Sequence, residues 1–341
     1  MKVSDFDYNL PDQLIAKHPP KVRGSSNLLV LDRKSDTLTD KKYHDLVDYL
    51  NPGDVLILND TKVIKARLIA QKPNGAKREL VILEKHSGDH DWHRHQVLYR
   101  RHLQSGDKLS IDHHQITVDE ILGNGIAVVS SDTDLIKLAD QYGSPPLPPY
   151  MKRTATSEDV ERYQTVFARD AGSAAAPTAS LNLTAEILAK LQAKGVVICY
   201  LTLHVGLGTF LPIRSENVED HDIHTEYFSI DQSTIAAVNK ARQHQNRVVA
   251  LGTTVTRTLE YVYTNSPNIT TAITGEANIF IYPGYQFKCV DALITNFHAP
   301  RSTVLMLAAA FAGKENLQTA YQHAIDHRYN FLSYGDSMLI L

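Results

Sequence analysis

Cysteine, tryptophan and long apolar runs are all scarce in this chain. Its 341 residues hold two cysteines, Cys199 and Cys289, and one tryptophan. A disulfide framework needs more cysteines and an export signal. The opening MKVSDFDYNLP has neither a basic start nor an apolar segment after it. Both cysteines lie in apolar runs, VVICYLTL and FKCVDALI, and read as small buried hydrophobes. The longest apolar stretch, residues 304–312, falls well short of the roughly twenty residues that cross a bilayer. A soluble, cytoplasmic chain with no membrane partner is expected.

An excess of one charge is also lacking. The chain has 35 Lys and Arg against 38 Asp and Glu, a net charge of −3, unlike a globally basic nucleic-acid binder. Any grip on RNA must come from local patches, such as 17–23 (KHPPKVR), 62–67 (KVIKAR), Arg100 with Arg101, and Lys152 with Arg153. A hydrophobic share of 43% excludes general disorder, and the length allows two cores.

The texture changes twice along the chain. Residues 1–65 read as mixed α/β, with a short helix near 11–16, buried strands at 27–32 (NLLVLD) and 55–59 (VLILN), and a helix at 43–50 between them. From 66 to 149 short alternating runs recur: ARLIAQ, RELVILEKH, HQVLYRRHL, KLSID, QITVDEIL and GIAVVSS, separated by Gly and Asp turns. With no long helical period, this segment predicts an inserted all-β barrel, closed by a stiff extended GSPPLPPY linker. From 150 to 341 the α/β texture returns. Helices are expected at 184–195, 233–244 and 302–312, and strands at 196–204, 247–251, 277–282 and 290–296. The expected fold is thus α/β, a mostly parallel sheet with flanking helices, interrupted by the barrel.

Three strand ends in the second half carry polar, glycine-containing turns: 204–210 (HVGLGTF), 252–257 (GTTVTR) and 297–303 (FHAPRST). Ligands of open α/β sheets bind beyond the carboxyl ends of strands, where glycine admits close approach and a helix N-terminus offers N–H groups. The three loops are expected to form one pocket. His204 and His298 are its acid–base candidates, joined by His224 from the run HDIHTE. That run matches no standard zinc spacing, so no metal is expected. Small residues at 172–184 (GSAAAPTASLNLT) let a ligand come close, with Thr178 and Ser180 supplying hydroxyls.

These segments resemble the tRNA ribosyltransferase-isomerase family of queuosine biosynthesis. The similarity runs through FDYNLPDQLIAKHPP, GDVLILNDTKVIKARL, PLPPYMKR, ERYQTVFA, AAPTASLNLT, TLHVGLGTFLPI, HDIHTEYF, GTTVTRTLE, IFIYPGYQFKCVDALITNFHAPRST and SYGDSM, nearly the whole length. The resemblance implies an α/β domain with an inserted barrel. It also implies S-adenosylmethionine as ribosyl donor and co-substrate, with no further cofactor. The acceptor would be tRNA bearing 7-aminomethyl-7-deazaguanine at the wobble position, and methionine and adenine would be released as epoxyqueuosine forms.

Such a reaction needs a base for a ribose C5′ proton, a proton for departing adenine, and a neutral acceptor amine. His204, His298 and His224 are the expected acid–base residues. Donor binding falls to Thr178, Ser180, Gly206, Gly208, Thr209, Gly252, Thr253 and Thr254, with Arg257 and Arg301 pairing carboxylate or phosphate. Arg67, Lys152 and Arg153 are the expected tRNA contacts of a monomer.

The chain departs from the family pattern at Asn182, where histidine is usual, at Asn27, where arginine is usual, and at 99–102 (YRRH), where an arginine-proline stretch is usual. Two other readings stay open: an enzyme using the same donor on another substrate, and a non-catalytic tRNA-binding protein.

Overall fold

The computed structural model describes residues 1–86, 91–206 and 213–341. Among these, nine strands form one sheet in the order Ile273–Ala277, Glu226–Ile230, Val197–Leu203, Val55–Asn59, Val248–Leu251, Ala292–Asn296, Ser337–Ile340, Asn27–Asp32 and Thr37–Lys42. The centre is parallel, with Val55–Asn59 between Val197–Leu203 and Val248–Leu251, and Ala292–Asn296 beyond. Ser337–Ile340 runs against Ala292–Asn296, and both edges are antiparallel. The sheet is therefore mixed around a parallel core.

Strand VLILN is buried at every position because helices cover both faces. Successive side chains of a strand point to opposite faces. Val55 and Ile57 thus enter one core with Leu29, Leu31, Val248, Ala250 and Leu293. Leu56 and Leu58 enter the other with Leu28, Val30, Val249, Leu251 and Ile294. The first core is capped by helix Thr303–Ala312, whose TVLMLAAAFA sequence is apolar on nearly every side and packs against helices Lys314–Asp326 and Thr253–Asn265.

The β-rich middle closes into a six-stranded antiparallel barrel, in the order Ile126–Ser131, Arg94–Arg100, Lys77–Ile82, Arg67–Gln71, Lys108–Ile111 and His114–Gly123. Alternate residues, among them Leu68, Leu80, Val97, Ile116 and Val129, fill a core of its own. The chain enters and leaves side by side: Arg67 and Ser144 exchange backbone hydrogen bonds of 3.1 and 3.0 Å. A Cβ on Gly143 would stand 2.0 Å from the Lys65 carbonyl oxygen, so only glycine fits that crossing.

Several expectations need correction. A helix, Leu135–Tyr142, closes the barrel segment; it is N-capped by Asp134, and Leu135, Leu138 and Ala139 complete the barrel core. The proline-rich stretch after it is packed, with Leu147 buried against Val63, Met151 and Tyr163. The strand expected at 277–282 lies earlier, at Ile273–Ala277. The apolar residues beyond it are a packed loop, whose Ile279 carbonyl accepts from Arg257 Nε. Strands Thr37–Lys42 and Ser337–Ile340 and helix Lys314–Asp326 complete the domain. No helix among the described residues is long and apolar enough to cross a membrane.

Candidate active site

A cleft of about 420 Å³ opens beyond the carboxyl ends of the central strands. That volume falls in the range that accepts a nucleoside-sized ligand. Its floor is built by Gly252, Thr253 and Thr254, its walls by Thr295, Asn296 and His298 and by Ala176–Ala179, and its rim by Tyr150, Arg301, Ser302 and Ser333.

The floor follows from one residue. Strand Val248–Leu251 must turn at once into helix Thr253–Asn265, and Gly252 does so with φ 102° and ψ 156°, a region essentially closed to other residues. As N-cap it contributes no side-chain acceptor, so the helix's first N–H groups are left for the cleft. They and the helix dipole favour an anion there. Asn59, at the end of the central strand, fixes this corner. Its amide donates to the Leu203 carbonyl at 3.0 Å and accepts from Leu203 N at 3.0 Å, and it donates to Thr254 Oγ1 at 3.4 Å.

His298 stands opposite. Its Nε2 lies 2.8 Å from Thr295 Oγ1. Its backbone is gripped twice: the N–H donates to Tyr321 Oη at 2.8 Å, and Tyr8 Oη donates to its carbonyl. Burial of the ring pushes its pKa down to about 3, so the imidazole is neutral at physiological pH. Thr178 reaches the same wall and donates from Oγ1 to Asn296 Oδ1 at 3.1 Å.

Thr178, Gly252, Thr253, Thr254, His298 and Arg301 therefore share the cleft. His204 does not. Neighbouring residues of an extended chain face opposite ways, and it is Val205 that lines the cleft. His204 lines a separate polar cavity of about 210 Å³, with Lys85, Arg169, Asp170, Tyr200 and Tyr227. There its Nδ1 lies 2.8 Å from Thr61 Oγ1, its ring stacks on Tyr227, and burial followed by the charge of Lys85 pushes its pKa down to about 4. Gly172 is required beside it, since a Cβ would lie 2.8 Å from Nε2.

Other residues fall between the two outcomes. His224 is exposed at the edge of a narrow side pocket that shares Thr253, Thr254 and Val304 with the cleft. Gly206 and Arg257 line that side pocket. Arg257 is already committed: Nη1 pairs with Glu226, whose other oxygen accepts from Gly206 N at 3.1 Å. It shapes the site and is not a free anion clamp. Ser180 is fully buried, away from the cleft. Gly208 and Thr209 lie outside the described residues.

The expected tRNA contacts divide similarly. Arg153 is locked in a bidentate pair with Asp159 at 2.6 and 2.7 Å. Arg67 sits in the barrel wall with Nε 3.7 Å from Glu79. Lys152 alone of the three is well exposed, with Nζ 3.2 Å from Asp12.

The departures from the family pattern sit away from the cleft. Asn182 is buried, accepting from Ser26 Oγ at 2.8 Å and donating to the Gly335 carbonyl at 2.9 Å and Ser337 Oγ at 3.1 Å. Asn27 binds Asp336 through its backbone and side-chain nitrogens at 2.7 and 3.2 Å. Sequence reasoning missed Tyr8, Tyr321, Asn59 and Asn296, whose roles depend on partners that are distant in the chain. It also missed Glu84, which would meet any Cβ on Gly206 at 2.2 Å and so joins the barrel to the rim of the side pocket.

Comparison with known proteins agrees with this architecture. The chain matches the model of the family described as queuosine biosynthesis protein over residues 3–340. It is 54% identical to the S-adenosylmethionine:tRNA ribosyltransferase-isomerase of Chlorobaculum parvum and 45% identical to that of Halothermothrix orenii, in each case over the full length of both chains. Its fold is similar to the crystal structure of S-adenosylmethionine tRNA ribosyltransferase from Thermotoga maritima, at a TM-score of 0.58 and 33% identity, covering 99% of this chain and 100% of that one. A full-length family match, close relatives and a shared fold give one conclusion: the chain belongs to the queuosine biosynthesis protein family.

Proposed function

We propose that this chain is a S-adenosylmethionine:tRNA ribosyltransferase-isomerase. It moves the ribosyl group of S-adenosylmethionine onto 7-aminomethyl-7-deazaguanine at the tRNA wobble position, and isomerises it to the epoxy-cyclopentanediol of epoxyqueuosine. Methionine leaves as its thioether, and adenine leaves with the glycosidic electron pair and takes up a proton. The observation that carries the reading is the cleft, which sets an uncapped helix N-terminus at Gly252–Thr254 against the neutral imidazole of His298.

On this reading the donor's methionine carboxylate lies against the N–H groups of Thr253 and Thr254, where the helix field favours it. Thr178 and Asn296 contact the nucleoside. The sulfonium acidifies the ribose C5′ hydrogens, and His298, held by Thr295, accepts a proton there. A cationic sulfonium beside His298 favours the neutral ring, which is the form able to accept it. The exposed Lys152 meets a tRNA phosphate. On this reading it acts as a monomer in the cytoplasm, where its tRNA substrate is met.

The test is to incubate the purified protein with S-adenosylmethionine and precursor-modified tRNA, then identify products by mass spectrometry. Adenine, methionine and the epoxy nucleoside in equal amounts support the reading. Unchanged donor with a competent tRNA overturns it.

A further inference from the structure

Away from the cleft, three side chains with metal-ligand chemistry meet on the surface. Asp40 comes from edge strand Thr37–Lys42, His323 from helix Lys314–Asp326, and His327 from that helix's C-cap. One candidate ligand atom from each lies within 4.8 Å of the others. We propose that Asp40, His323 and His327 bind one divalent cation of the zinc type, stapling the edge strand to the C-terminal helix.

The spacing is the first argument. Residues four apart on a helix share a face, and the His323 and His327 rings stack with centroids 3.9 Å apart. Two imidazoles and one carboxylate, with a position left for water, suit zinc and its neighbours in the first transition row better than magnesium or calcium.

The hydrogen bonds around the cluster are the second. His327 Nδ1 donates to the His323 carbonyl at 2.9 Å. That bond fixes the tautomer and leaves the Nε2 lone pair bare, as second-shell bonds do for metal-binding histidines. His323 Nε2 lies 3.0 and 3.1 Å from the two oxygens of Asp40, close to the separation of ligand atoms sharing one ion. Tyr329 Oη donates to Asp40 Oδ1 and orients the carboxylate.

The mechanical role follows from where the cluster lies. Strand Thr37–Lys42 is the outermost strand of the sheet and is exposed along most of its length. Besides the cluster, Asn316 Nδ2 donates to Asp36 Oδ1 at 2.8 Å, a second tie between the same hairpin and helix. A metal there would add a stronger cross-link between segments some 283 residues apart.

The test uses the full chain, stripped with a chelator and titrated with ZnCl₂ by calorimetry and with CoCl₂ by visible absorption. One ion per chain is expected, with a rise in Tm that the chelator reverses. His327→Gln and Asp40→Asn, both at exposed positions, should each weaken binding by at least about tenfold and abolish the Tm rise, while their metal-free Tm stays near that of the wild type. The chain has 16 histidines, so the variants locate the ion. No binding below millimolar zinc, or equal binding by wild type and both variants, overturns the site.

Discussion

His298 Nε2 and Thr295 Oγ1 lie 2.8 Å apart, joining the last turn of strand Ala292–Asn296 to the loop that leads into helix Thr303–Ala312. A hydroxyl can donate or accept, so Thr295 serves the neutral ring in either tautomer. It holds the imidazole against the cleft while burial keeps it uncharged. Thr295→Val should therefore lower kcat more than it raises KM for the donor, and His298→Gln should lower kcat by roughly 10²–10⁴-fold. Steady-state adenine release measures both.

The two depressed histidines also make stability pH-dependent. Their folded pKa values, about 3 for His298 and about 4 for His204, lie below the unfolded value of 6.5. Below pH 6.5 the unfolded chain binds protons that the folded chain refuses, so stability is lost as pH falls. Going from pH 7 to pH 5 should cost up to roughly 2 kcal/mol for each histidine. Urea midpoints at the two pH values check this, and His298→Gln should show the shallower dependence.

Gly252→Ala separates backbone from packing. An added Cβ would meet Ala179 Cβ at 3.5 Å, an ordinary contact, so the cost is the φ of 102°. A loss of about 1–3 kcal/mol in stability is expected, together with a raised KM for S-adenosylmethionine as the helix N-terminus shifts. Chemical denaturation and donor titration read the two effects separately.

Lys152 and Arg153 are neighbours with opposite expected outcomes. Lys152→Ala should reduce the salt dependence of tRNA binding by about one unit of slope and leave Tm unchanged. Arg153→Ala strips the partner from Asp159, which is only 1% exposed, and should cost about 3 kcal/mol of stability. Filter binding across salt concentrations and thermal melts distinguish them.

Much of this was legible in the chain. The unbroken apolar runs Leu28–Leu31 and Val55–Leu58 announced strands buried on both faces, and the short alternating runs between Arg67 and Ser131 announced the barrel, because burial on one face imprints a period of two. The turn Gly252–Thr254 was legible for the same local reason. His204 was misplaced because sequence does not say which face of an extended end looks into which cavity. The ion pairs of Arg257 with Glu226 and of Arg153 with Asp159 were not legible, because these acidic partners fold next to them without any spacing signal. Asn182 marked a departure from the family pattern, yet its three buried hydrogen bonds make it structural. Asn182→His should cost about 1–3 kcal/mol of stability without changing donor KM.

The central claim is that the donor occupies the cleft between Gly252–Thr254 and His298, and a crystal structure of the complex with S-adenosylmethionine tests it most directly. The account predicts the methionine carboxylate at hydrogen-bond distance from the Thr253 and Thr254 N–H groups, with the ribose facing His298. A donor seated instead in the cavity of Lys85, Arg169 and His204 would contradict it.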